Sequence, residues 1–126
     1  MIRAAAVLAA ALTSAACSAT RQEAGQVDHV VLLWLKAPGD RSALTRVEQT
    51  VRGFADQLPE PTSVTLGAPL LDDHHVQNDY DAAFVFNFAD RAALAAYVED
   101  PTQQRALRAL LAPHAARVQI YDVLLR

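Results

Sequence analysis

The stretch Val27-Asp28-His29-Val30-Val31-Leu32-Leu33-Trp34-Leu35-Lys36 narrows the possible folds more than any other part of the chain. Its residues are β-branched, aliphatic or aromatic almost throughout, the composition of a strand. It is apolar on both parities: His29, Val31, Leu33 and Leu35 on one, Val30, Leu32 and Trp34 on the other. Successive strand side chains point to opposite faces, so this run belongs to a sheet covered on both sides. The one ionisable side chain on the odd parity is His29.

The pattern downstream supplies the rest of one domain. After a turn at Ala37-Pro38-Gly39-Asp40, Leu44, Val47, Val51, Phe54, Ala55 and Leu58 recur at helical spacing. Asp40 or Ser42 can cap that helix, and Pro59 and Pro61 stop it. Residues 63–70 alternate as a second strand, which Pro69 confines to an edge or terminates. Residues 80–88 form a third, with Phe84, Phe86 and Phe88 on the parity expected beneath the helices. Asp90 caps a helix with the stripe Leu94, Tyr97 and Val98, interrupted at Pro101. Asp100-Pro101-Thr102-Gln103 then restarts it, with a cap, a proline at the first helical position and a glutamine three residues after the cap. Leu107, Leu110 and Leu111 continue the stripe to Pro113, and residues 117–125 alternate as a fourth strand. The order βαββαβ, with the second helix broken, predicts a ferredoxin-like α+β domain.

With 126 residues the chain has room for one such domain and its core. Two helices hide one face of four strands, yet the first, third and fourth strands are apolar on both parities. A second copy of the sheet is the economical cover, which predicts a homodimer packed face to face around a barrel-like apolar cavity. A net charge of −3, with scattered basic residues, recommends neither nucleic acid nor an anionic membrane surface as partner.

The N-terminus reads as an export signal over residues 1–16: Arg3, an apolar run over 4–12 too short to span a bilayer, and small residues Ser14-Ala15-Ala16. Cys17, the only cysteine, follows directly and precludes an internal disulfide. Its position resembles the lipobox of bacterial lipoproteins, although Ser14 stands where leucine is usual. Lipidation at Cys17 would place the protein on the periplasmic side of a bacterial membrane, attached by its N-terminal lipid alone and held by a polar tether over 17–26. Without lipidation it would be periplasmic or secreted.

Four segments together resemble the stress-responsive dimeric A/B barrel (Dabb) domain: Val27-Asp28-His29-Val30-Val31-Leu32, residues 80–88, Ala95-Ala96-Tyr97-Val98-Glu99-Asp100-Pro101, and Val118-Gln119-Ile120-Tyr121-Asp122. The resemblance covers 27–126 and implies a dimeric α/β barrel with His29 in the cavity at the mouth of the first strand. In the family's plant polyketide cyclase, a histidine matching His29 pairs as acid and base with a second histidine beyond the helix-breaking proline. Gln103 stands at the second position here. Glutamine orients a ligand but exchanges no proton at neutral pH, so the paired mechanism does not carry over.

Three functions follow as expectations. The first is a cavity for a small apolar or aromatic ligand, contacted by His29, Tyr80, Gln103 and Tyr121, with no cofactor. The second is a cofactor-independent cyclase or monooxygenase in which His29 is the catalytic acid/base. The third is a stress-related structural or interaction protein without a small ligand. Tyr97 reads as a helix-to-sheet contact and Trp34 as a core or interface anchor. The loop Asp72-Asp73-His74-His75 has the donors for zinc, nickel or copper. Adjacent histidines on extended chain point apart, so a solvated loop and no metal site are expected.

Overall fold

The computed structural model describes residues 21–71 and 78–126. The expected signal peptide, Cys17 and the 72–75 loop lie outside the described residues.

The four strands are β1 (Val27–Leu35), β2 (Pro61–Gly67), β3 (Ala82–Phe88) and β4 (Ala115–Leu124). They form one antiparallel sheet in the order β2-β3-β1-β4. The helices are α1 (Arg41–Ala55), α2 (Arg91–Glu99) and α3 (Pro101–Leu111), so the order is the ferredoxin-like one. β2 is an edge strand that opens on proline, which has no N–H to donate to a ladder.

The helix ends follow from local chemistry. Asp40 accepts from Ser42 and Ala43 at the start of α1, Asp90 from Ala93 at α2, and Asp100 from Thr102 and Gln103 at α3. Pro101 fills the first position of α3, where its missing N–H costs nothing. On α1 the buried line is Ala43, Val47, Val51 and Ala55, with Leu44, Phe54 and Leu58 packed beside it. The later stripes are only partly buried, for Val98 and Leu110 face solvent.

Parity assigns the faces. Val27, His29, Val31, Leu33 and Leu35 of β1 lie on the helix side and are all buried. Register places Phe84, Phe86 and Phe88 of β3 opposite Val31, His29 and Val27, on that same side, each at most 1% exposed. Fully burying a large apolar side chain contributes about 1.5–3 kcal/mol, so these rings and Leu33, Val47 and Val51 carry much of the core.

The helices pack on β1, β2 and β3. β4 differs: Val118, Ile120 and Leu124 share the helix side by register yet remain 41%, 51% and 37% exposed. On the other face Tyr121 and Val123 are exposed as well. Trp34 there lies under the guanidinium of Arg117, 4.4 Å from the ring centroid. The last residues before β1 are tied to the domain: Gly25, at φ 91°, donates to the Leu125 carbonyl, and the Leu125 N–H to Gln26. Positive φ favours glycine at that position.

Candidate functional site

His29 occupies the third position of β1, on the helix side, and is 5% exposed. The expectation of His29 in a chamber between two facing sheets is therefore corrected. Its parity is that of the phenylalanines, so its ring lies between the sheet and α2. Phe86, Phe88 and Tyr97 surround it edge-on, at centroid separations of 6.2, 6.2 and 5.7 Å.

Register brings Asp122 of β4 opposite His29, and His29 Nδ1 lies 2.6 Å from Asp122 Oδ1. An ionised carboxylate only accepts, so Nδ1 carries the proton and a neutral ring keeps Nε2 as its acceptor. No described residue bonds Nε2. A carboxylate that holds the tautomer and steadies the imidazolium is the arrangement a histidine needs to take up a proton and return it. Asp122 itself is 49% exposed, at a cleft of about 310 Å³ shared with Val27, Arg91, Leu94 and Leu124. The pair thus connects the core to solvent at the junction of α2 and β4.

Tyr97 does more than join helix to sheet. Its ring packs against Phe86 and Phe88 and is 1% exposed, work that a phenylalanine would do equally well. Its hydroxyl is buried without a hydrogen-bond partner among the described residues. Leaving such a group unpaired costs about 1–3 kcal/mol, a penalty that packing does not explain. Burial pushes the phenol above its ordinary value of 10.0, and the Glu60 carboxylate pushes it the same way. The Gln104 amide lies close enough to oppose them, but its hydrogen bond goes to the Tyr97 carbonyl.

Gln103 lies on the first turn of α3. Its Nε2 donates to Glu60 at 3.4 Å, and its Oε1, like the tyrosine hydroxyl, is buried without a partner among the described residues. His29, Tyr97, Gln103 and Asp122 therefore belong to the helix side of the sheet.

Tyr80 and Tyr121 do not join them. Tyr80 meets Trp34 edge-on at 6.5 Å, five residues along β1 from His29, a strand distance of about 17 Å. A cleft of about 690 Å³ beside Tyr80 is the roomier opening, but it lies at that far end and contains neither His29 nor Tyr97. Tyr121 is on the face away from the helices, where its hydroxyl accepts from Gln119. No three His, Cys, Asp or Glu side chains come together as a metal site among the described residues.

Sequence reasoning passed over Asp122, Glu60 and the significance of Tyr97. One signal was present: Asp122 interrupts the apolar parity Val118, Ile120 and Leu124, a charged group in a row otherwise apolar. Nothing in the order of residues announced its partner.

A family model described as "Stress responsive A/B Barrel Domain" matches residues 27–124. A dimeric ferredoxin-like protein of unknown function from Jannaschia sp. CCS1 is 30% identical, with 80% of this chain and 100% of that one aligned at a TM-score of 0.60. A Dabb family protein with a ferredoxin-like fold from Mesorhizobium loti is 20% identical over 81% and 98% of the two chains, TM-score 0.66. The hydroxynitrile lyase from Passiflora edulis, 13% identical over 82% and 96%, TM-score 0.66, shares the fold. A comparison with curated proteins gives no match.

Proposed function

This chain belongs to the stress responsive A/B barrel domain family, and on that premise we propose that it binds a small, largely apolar or aromatic molecule on the helix side of its sheet and moves a proton on it. His29 is the acid/base, and Asp122 holds its tautomer. The observation that carries this reading is the 2.6 Å contact between the two, made by a buried ring packed edge-on against Tyr97, whose hydroxyl has no partner among the described residues. The reaction class is cofactor-independent proton transfer at a carbon next to a carbonyl or at a hydroxyl group. The lyase that shares this fold is consistent with such chemistry.

Hydrogen–deuterium exchange tests it. Small aromatic ketones and aldehydes incubated in D2O with the full chain should exchange their acidic C–H protons. A positioned acid/base group contributes about 10²–10⁴-fold, and His29→Ala should remove that factor. Exchange by the variant at the wild-type rate would remove His29 from the chemistry. The second reading, a carrier without chemistry, is favoured by the low exposure of the histidine ring. It predicts ligand retention, identified by mass spectrometry of the purified protein, with no exchange in either form.

The working unit we propose is a homodimer. Support comes from Val30, Leu32 and Trp34 of β1 and Tyr121 and Val123 of β4, a face that none of the described helices covers, and from the dimeric relative at 30% identity. Export with lipidation at Cys17 is proposed on sequence grounds. Two acyl chains give the stable anchoring that one does not. The mass of the mature N-terminal peptide, beginning at Cys17 with or without added lipid, decides the matter.

A further inference from the structure

Glu60 immediately precedes β2, is half-buried, meets Gln103 of α3 and is close enough to Tyr97 for its charge to act on the phenol. The reciprocal cap expected at α3 is only half made. Asp100 Oδ1 accepts from the Gln103 N–H at 3.0 Å, but the Gln103 side chain turns to Glu60 instead of reaching back to the cap. An amide has one donor end and one acceptor end. The reverse orientation would set its oxygen against a carboxylate, so Glu60 fixes Gln103 with Oε1 on the side away from itself. Two buried polar atoms, the Gln103 Oε1 and the Tyr97 hydroxyl, then lie within the influence of one negative charge, and neither has a hydrogen-bond partner among the described residues.

We propose that Glu60 sets the class of ligand the site accepts, namely a neutral molecule that presents hydroxyl groups, with carboxylates rejected. The inference deepens the reading above and rests on it. A ligand hydroxyl donates to Gln103 Oε1 and accepts from the Tyr97 O–H, satisfying both orphaned atoms. A carboxylate has no proton for Oε1 and brings a second negative charge beside Glu60, where like charges in a poorly solvated site oppose each other strongly. Glu60 acts through Gln103 and through its charge, so it is a specificity-determining and positioning residue.

Isothermal titration of the full chain at pH 7.5 with 4-propylphenol and with 4-propylbenzoate tests the proposal, since at that pH the first probe is neutral and the second ionised. The wild type should favour the phenol by about tenfold or more, the scale that a like-charge juxtaposition sets. Glu60→Gln, which keeps the shape and removes the charge, should strengthen benzoate binding and narrow the preference to about threefold. Tyr97→Phe should weaken the phenol and leave benzoate unchanged. Equal binding of both probes by the wild type, or a preference indifferent to Glu60→Gln, overturns the assignment while leaving the proton chemistry of His29 standing. If neither probe binds, the binding site itself is overturned, and this assignment with it.

Discussion

β3 and β4 both flank β1 in antiparallel register, yet their helix-side residues fare very differently. Phe84, Phe86 and Phe88 are at most 1% exposed, whereas Val118, Ile120 and Leu124 retain 37–51%. Composition does not explain the contrast, since both rows are apolar apart from Asp122. Coverage does, because α1 and α2 rest on the β2, β3 and β1 side and leave β4 open. His29 lies on the line between the two regimes. Its neighbours on the β3 side are rings, and its neighbour on the β4 side is a half-exposed carboxylate. A buried base that touches solvent through its partner can be kept dry and still exchange protons. A wholly buried or wholly exposed histidine offers only one of those properties.

The contrast can be broken most forcefully on the covered side. Phe86→Ala removes a ring packed against His29 and Tyr97 and should cost about 3–5 kcal/mol, read from the denaturant midpoint at constant slope. A loss below about 1 kcal/mol would mean that the aromatic cluster is not the structural centre of the domain. On the open side, Ile120→Asp should disturb the folded subunit far less, by about 0.5 kcal/mol or under, because the side chain is already half in water. Val123→Asp, on the opposite face of β4 where the second subunit is proposed to lie, should instead shift native mass from dimer to monomer. An unchanged dimer would place the interface elsewhere.

The smallest effect sharpens the comparison at the seam. Tyr97→Phe deletes a hydroxyl with no partner among the described residues, so thermal stability near neutral pH should hold or rise slightly. The sign of its pH dependence is fixed by the direction of the shift. The folded state keeps the phenol protonated above its ordinary value of 10.0, so its contribution is complete below pH 10 and fades as pH rises through the higher folded value. Tyr97→Phe should therefore flatten the alkaline end of the stability profile. A steeper alkaline loss in the variant would contradict the burial of the hydroxyl.

Much of this was legible in the residues because it depends on near neighbours. The caps Asp40, Asp90 and Asp100, the proline restart at Pro101 and the alternation of β1 and β3 are fixed within a few positions of the chain. Parity even placed the phenylalanines beneath the helices. It did not place His29 there, although His29 shares a parity with Val31 and Leu33, because which face of β1 the helices occupy depends on how β3 aligns beside it.

The sequence by itself determined the elements, their order, the βαββαβ class and a histidine that stood out among apolar neighbours. Tertiary structure alone decided what that histidine is. Asp122 is 93 residues away and reaches it only because β4 pairs with β1 in one particular register, and Glu60 meets Gln103 only because α3 returns over the start of β2. Local propensity acts over the span of a turn or a strand. A site made of groups scattered along the chain is created by the pairing of distant segments, and the apolar pattern drives that pairing without recording which polar side chains it will bring together.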